Sequence, residues 1–585
     1  MILQYILFPN ESICAEKELY YHSTHNIPLN QNKIMEIERG QTIQFDSYFN
    51  SFSISKWKEY TNINNLYLNL LIKGQFNITI INQYYKSNTI ITKEICNRDY
   101  QFNDLNKLTI KIPFSKIKKG NIGFTITAKN LNAHIYTGYY STKIIDQKLN
   151  KVSLGLNICT YLREDYINKL LNVIKELSHN SKYSLIQKHL YTFIIDNGNT
   201  LPSNTEHNIF TFYNKNVGGT GGFTRGIIEI LKKKKAFNLT HIIFLDDDIT
   251  LIPESLYRMF TFLLLIKDEK SNCLFSGAML LSNKKYLQHS SGEIWKNGRT
   301  YSPKRGFNLR RVENVLKNEI PANLNYCAWG YCCVPLKLIN VNNLPLPLFI
   351  HQDDIEYGLR LNQEIITLNG VCMWHGDFST RRNSELEYYR VRNSMIINSI
   401  YISNYSCEKA KICLLKQVTR NILYYRYKDI DISLEAMKDF CKGIEYLKEQ
   451  DPIQLHQKLK DLGYHSKNIG YIPSYQEKKP GYISFLKSIL TFNGYFFPGK
   501  NKYIYIGDNY QSYYRTNRAI VYDNENKGLY LKKDIKKMIS SYKKLRATFK
   551  IMDINFKTAR DSYQNNWNLI TNIDFWNEYL GIKNK

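Results

Sequence analysis

HIIFLDDDIT, residues 241–250, decides how this chain is read: the apolar run Ile242–Leu245 passes straight into Asp246, Asp247 and Asp248. A short apolar run that stops at charge is the pattern of a buried strand meeting solvent at its end. Three like charges side by side repel, so either water or a cation must offset them. On an extended backbone side chains alternate, which puts Asp246 and Asp248 on one face and Asp247 on the other. Two carboxylates on one face can share a divalent cation, and hard oxygen ligands suit Mg²⁺ or Mn²⁺. A solvated acidic turn ahead of Ile249 is the plainer alternative.

Working outward, VSLGLNICTY (152–161) reads as a strand, and REDYINKLLNVIKELSHN (163–180) as a helix with Ile167, Leu170, Leu171, Ile174 and Leu177 on one face. YTFIIDNGN (191–199) is a second strand and TRGIIEILKKKKAF (224–237) a second helix. Strands alternating with helices imply a mainly parallel sheet, whose ligands gather at the carboxyl ends of the strands. Three of those ends are polar: Thr160–Arg163, Asp196–Asn199 and Asp246–Asp248. Between them, NKNVGGTGGFTRG (214–226) brings glycines to a helix start, where backbone amides can approach a phosphate or a sugar closely. It is not a Walker loop, because no Lys-Ser/Thr pair follows Gly226.

Further along, PLPLFIHQDDIEYGLRL (345–361) leads an apolar stretch into Asp353 and Asp354, a position for a carboxylate base or for simple partners of a helix dipole. GVCMWHGDFSTR (370–381) ends a strand in Trp374-His375, and His375 is a candidate third metal ligand.

In this order the pieces resemble the family 2 inverting glycosyltransferases of GT-A fold, and among them the bacterial galactofuranosyltransferases that build galactan on a lipid-linked acceptor. The resemblance rests on NVGGTGGFTRG, FLDDDI, GYCCVP, LPLPLFIHQDDIEYGLR, WHGDFS and YYRVRNS (388–394). It implies that Asp246, Asp248 and His375 hold Mn²⁺ or Mg²⁺ and that Arg163, Asp196, Asn216, Gly219 and Asp247 form the donor side, with Arg163 and Asp196 at the uridine end. It implies Asp354 as general base, with Asp353, Glu293 (SSGEIW) and Trp329 (CAWGY) on the acceptor side. The implied activity is transfer of galactofuranose from UDP-galactofuranose to a cell-surface glycan or lipid-linked precursor. Another UDP-hexose donor, for capsule or lipopolysaccharide, and a non-catalytic sugar-binding scaffold are the alternatives. The chain departs from the mycobacterial pattern at Trp329-Gly330, where those members carry paired tryptophans, and at Arg390, where they carry histidine.

The expected architecture is a GT-A, Rossmann-like central domain (151–400), a front β-sandwich or barrel (1–150) and a mainly helical, basic back (401–585). Strands are expected in 66–85, 107–114 and 123–142. The segment 531–553 is expected to be a helix with Ile535, Met538, Ile539, Tyr542, Leu545, Phe549 and Met552 on one stripe. The chain has 585 residues, which suits several domains, and its net charge of +28 favours anionic partners. No nucleic-acid-binding signature occurs. Eleven cysteines without a CxxC pair suggest reduced thiols and a cytoplasmic protein. MILQYILFPNES does not read as a secretory signal, and no apolar run is long enough to span a bilayer. Contact with the inner membrane face, and homo-oligomerisation, stay open.

Overall fold

Two long runs of β-branched and aromatic residues, β1 (Leu66–Lys86) and β2 (Thr89–Ile112), dominate the front of the computed structural model. The structure describes residues 1–131, 133–144, 149–202, 208–377, 383–470, 482–523 and 527–582. β1 and β2 pair antiparallel from end to end across a turn at Ser87 and Asn88, both with positive φ (49° and 62°). Two such residues match the twist of a tight hairpin. β1 also pairs with Asn121–Ala128 and Ala133–Ser141, and the seven front strands form one hydrogen-bonded antiparallel sheet. The expectation of a β-rich, antiparallel front holds at the level of strand pairing. The sequence reading misses β2 before Lys107, because Lys93, Glu94, Arg98 and Asp99 lie on a stretch with no buried face to give it a period.

Behind this sheet the chain alternates: β3 (Leu154–Thr160), α1 (Glu164–His179), β4 (Leu190–Asp196), β5 (Ile209–Tyr213), α2 (Gly218–Lys233) and β6 (His241–Asp246). It continues through α3 (Pro253–Leu265), β7 (Leu274–Ser276), β8 (Ala278–Leu281), β9 (Tyr331–Pro335), α4 (Asp353–Leu361), β10 (Ile365–Ile366) and β11 (Cys372–His375). The central sheet has the order β5-β4-β3-β6-β9-β7-β10. Its first four strands are parallel, and β9 is antiparallel to both β6 and β7. The order of the parallel strands reverses between β3 and β6, the point at which open sheets of this kind form a ligand crevice beyond the carboxyl ends, here at Thr160 and Asp246. A second sheet sets Thr250–Leu251 against β11, with Thr250 opposite Trp374 and Leu251 opposite Met373. That pairing carries His375 back to the aspartates.

The back is helical, with α5 (Glu385–Tyr401), α6 (Ile535–Asn566) and α7 (Ile573–Leu580) among its helices. It also holds a small sheet of Lys467–Asn468, Lys500–Tyr505, Thr516–Tyr522 and Lys527–Lys532, which the sequence reading does not anticipate. On α6 the buried stripe runs through Met538, Leu545, Met552, Phe556 and Tyr563, while Ile535 and Ile539 face outward. All eleven cysteines are free.

Helix α3 joins front and centre. Every one of its residues is buried, and one hydrophobic core runs from the front sheet through α3 to Trp374. Inside that core Arg258 donates to Phe49 O (3.0 Å), Asn369 O (3.0 Å) and Glu254 Oε1 (3.4 Å), and Glu254 accepts from Tyr5 N (2.8 Å). Gly370, at φ 79°, leaves the guanidinium its room, since a Cβ there would fall 1.9 Å from Arg258 Nη1. Arg258→Met strips Glu254 of its nearest countercharge, leaving that buried carboxyl Tyr5 N and the more distant Lys182, and is expected to cost about 3 kcal/mol. Thermal unfolding should show one lowered transition for front and centre together, and Glu254→Gln added to it should recover part of the loss.

Candidate active site

The crevice between β3 and β6 is built first by close packing. Four of the loop glycines are there for space or conformation: Gly218 has φ 82°, and a Cβ at Gly221, Gly222 or Gly226 would fall 2.2 Å from Val217 Cγ2, 2.1 Å from Cys159 Sγ and 1.9 Å from Asn157 Oδ1. The α2 backbone thereby lies against β3. A Cβ at Gly219 would meet nothing within 4 Å, so this glycine faces open space. Asn216 Oδ1 accepts from Gly218 N (3.2 Å) and shapes the same turn.

At the end of β6 the three aspartates divide as strand alternation suggests. Asp247 turns toward β3, accepting from Thr160 Oγ1 (2.8 Å) and Arg163 Nη1 (2.9 Å). Asp246, Asp248 and His375 turn together, with one ligand atom from each lying within 4.8 Å of the others. His375 Nε2 is 3.0 Å from Asp248 Oδ1, while its Nδ1 faces Gly376 O at 2.6 Å. With Nδ1–H donated to that carbonyl, Nε2 is the nitrogen turned toward Asp248 and the one placed to ligate a metal. Two carboxylate oxygens and one imidazole nitrogen make a donor set suited to Mn²⁺ or Mg²⁺.

The site is electrostatically loaded. Burial raises Asp246 to about 7; His375 pulls against this, and Asp248, Asp247 and Asp353 add to it. Burial likewise raises Asp247, Asp353 and Asp354, with Asp353 and Glu293 as the main charges acting on Asp354. His375 is held above its usual range by Asp248, despite burial. Arg163, whose expected partner is the uridine, bridges Asp247 and Asp248, the latter at 3.0 Å. Such a cluster of shifted carboxyls in a crevice is a mark of a functional site.

Asp353 and Asp354 open α4. Asp353 Oδ2 accepts from Thr220 Oγ1 (2.9 Å), linking the acid pair to the glycine loop. The backbone before them is strained: Phe349, His351 and Gln352 have φ of 72°, 77° and 70°. Non-glycine residues at positive φ cost of the order of 1–3 kcal/mol each, so something must hold them. The YYRVRNS segment of α5 does so. The Asn393 amide donates to Ile350 O (3.1 Å) and His351 O (2.7 Å), Arg392 donates to Leu348 O (2.9 Å), and Gln352 donates to Ser394 Oγ (2.9 Å). Glu293 accepts from Ser302 Oγ and Tyr326 OH, both at 2.5 Å, and faces the acid pair through Tyr326.

Two expected contacts are corrected. Asp196 is fully buried and accepts from Gly198 N (2.9 Å), Thr200 N (2.7 Å) and Leu201 N (2.8 Å), so its carboxylate shapes the loop instead of reaching the uridine. Trp329 stacks on Phe244 (4.7 Å, 8°) and meets Phe223 and Tyr357 edge-on, so its ring belongs to the core under the sheet, not to a sugar platform. Thr220, Tyr326 and Asn393 take part in the site without having been singled out, and Thr160, expected only as part of a polar strand end, donates to Asp247. Only the quoted YYRVRNS block gave a signal for Asn393, and none for its task. Residues 378–382, which include the end of the WHGDFS motif, lie outside the described residues.

Residues 3–142, the front sheet, match the family model described as "Galactofuranosyltransferase 2 N-terminal". The chain is 24% identical over 449 residues to galactofuranosyltransferase GlfT2 of Mycolicibacterium smegmatis, covering 71% of this chain and 66% of that protein. It is 22% identical over 448 residues to galactofuranosyltransferase GlfT2 of Mycobacterium tuberculosis, covering 71% and 67%. The chain thus spans about two thirds of the length of these relatives, and it is a galactofuranosyltransferase-like sequence over most of its own. Among solved structures, the Clostridium thermocellum xylanase 10B CBM22-1–GH10 modules give a TM-score of 0.18 at 9% identity, over 34% of this chain and 39% of that one. That score carries nothing about the fold.

The clamp on residues 348–352 has a measurable consequence. Asn393→Leu strips donors from buried carbonyls and is expected to cost about 3 kcal/mol in denaturant unfolding. His351→Gly removes a Cβ from a positive-φ position and should leave stability unchanged or raise it by up to about 1 kcal/mol.

Proposed function

We propose that this chain is a metal-dependent inverting glycosyltransferase of GT-A type that moves galactofuranose from UDP-galactofuranose to a cell-surface glycan or lipid-linked acceptor. The observation that carries this reading is the meeting of Asp246, Asp248 and His375 at the strand-order reversal, beside the Asp353-Asp354 pair. The sequence similarity to galactofuranosyltransferases supports the donor sugar.

Asp246, Asp248 and His375 would hold Mn²⁺ or Mg²⁺, which when bound supplies Lewis-acid stabilisation of the charge on the departing UDP. Gly219 leaves open space beside the crevice for the donor, and Arg163 keeps the turn rigid by holding Asp247 and Asp248. Asp354 takes the proton from the attacking acceptor hydroxyl. Its raised affinity for a proton, set by burial and by Asp353 and Glu293, suits a base more than an ordinary surface carboxylate would. Asp353, steadied by Thr220, and Glu293, steadied by Tyr326 and Ser302, would orient the acceptor. A single displacement then inverts the anomeric centre, and no covalent nucleophile is needed. No described helix is long and apolar enough to cross a membrane, and the net charge of +28 supports contact with an anionic inner membrane face.

With Mn²⁺ present, UDP release is expected from UDP-galactofuranose and a lipid-linked acceptor; turnover with the pyranose donor alone would refute the assignment. Asp354→Asn should lower kcat by about 10²–10⁴-fold with donor binding retained. Mn²⁺ affinity should also depend on pH. The metal requires Asp246 deprotonated, and in the metal-free protein that carboxyl sits at about 7. Protons therefore compete below neutrality, and affinity should fall about tenfold between pH 7.5 and 6, read from free Mn²⁺ by electron paramagnetic resonance.

A further inference from the structure

A second polar cavity lies where the front sheet meets the central domain. It is about 800 Å³ and opens between the helix Ile54–Tyr60, the end of β1 at Tyr84 and Tyr85, and the loop 319–324. Lys56, Lys58, Lys118, Lys119 and Lys304 line it, against Glu59, Glu319 and Glu364. Two of these lysines are buried: Lys56 is 8% exposed and Lys304 5%.

Buried ammoniums are costly unless paired. Lys56 Nζ donates to the carbonyl and hydroxyl of Thr367, and Lys304 Nζ donates to Asn318 O at 2.5 Å. Among the described residues neither has a carboxylate within 4.0 Å. An ammonium has three donors, so one carbonyl leaves Lys304 underused. Burial, with Lys56 beside it, lowers Lys304 to about 7, as expected of a cation short of countercharge. The acids supply it only from across the cavity: the charge of Glu319 acts on both lysines, and that of Glu59 on Lys56, without direct contact. Glu364 is occupied by Tyr60 OH (2.7 Å) and Lys270 (2.6 Å), and Glu319 turns one oxygen to Ser53 Oγ (2.6 Å) while the other finds no donor.

We propose that this cavity binds an oxyanion carried on a saccharide, a phosphate or a carboxylate, received by Lys56 and Lys304 with the sugar alongside Tyr84 and Tyr85. The volume suits one or two sugar units, and the concave shape leaves the two buried ammoniums out of reach of a flat bilayer. Lysine serves as a point charge for such groups, and half-buried tyrosines offer an apolar face to a ring. The loop 321–324 continues directly into Asn325 and Tyr326, whose backbones pair with Glu293, so an occupant would sit against the segment that carries Glu293. The proposal does not depend on the transferase reading.

The test is calorimetric titration of the full chain with glucose 1-phosphate, glucuronate, inorganic phosphate and galactose. The two charged sugars should bind and galactose should not. Lys304→Met should weaken both charged sugars at least tenfold, and Lys119→Glu, at the exposed rim, should weaken them without bearing on folding. Asp248→Ala should leave this binding intact, which separates the cavity from the crevice. Absence of binding by both charged sugars, equal affinity in Lys304→Met and Lys119→Glu, or loss in Asp248→Ala alone would overturn the proposal. So would inorganic phosphate binding as tightly as glucose 1-phosphate, or capture of anionic vesicles that Lys304→Met abolishes.

Discussion

Crowding of negative charge at the mouth of one crevice is the constraint to which the rest of the molecule answers. Asp246 ends one strand, Asp247 and Asp248 form the turn after it, and Asp353 and Asp354 open a helix nearby. Burial alone would neutralise such groups by raising their proton affinity, and several are raised. What keeps the arrangement polar is a set of partners from distant parts of the chain: Arg163, Thr160, Thr220 and His375. Each is set at its place by backbone pairing or by close helix packing. The fold is, in this sense, a frame that brings compensating groups to one place.

Parts of this frame are legible in the sequence because they follow a period. The strands ending at Thr160, Asp196 and Asp246 and the helix between the first two are visible as apolar runs and a 3.6-residue stripe. Alternation suggests the division of the aspartates, although Asp247 and Asp248 stand in the turn after the strand and Arg163 holds both. Other parts have no local signal. A polar residue at a strand end looks the same whether it meets a ligand or caps its own loop, and Asp196 does the second. A tryptophan beside a site motif looks the same whether its ring faces out or in, and Trp329 faces in. Position in three dimensions, not residue type, separates these cases.

The strained run before Asp353 shows another limit. Phe349, His351 and Gln352 are not residues that a turn would select, and their conformation is imposed by Asn393, Arg392 and the Phe349–Tyr389 stack (5.1 Å) from α5. Local preference is overruled by a tertiary clamp, which is common where a side chain must be held at a fixed place. The back of the chain thus contributes to the crevice by fixing its backbone.

The hairpin of β1 and β2 has a consequence of its own. Among the described residues β2 pairs on one side only, so its outer edge presents a long row of unbonded amides and carbonyls. Such an edge is a template on which a second chain could grow as an extra strand. Lys93, Glu94, Arg98 and Asp99 stand along it, exposed and of both signs. The charges that hide this strand from a hydrophobicity pattern are the kind that guard an open edge against pairing with another, so the poor legibility of β2 and the guarding of its edge have one cause.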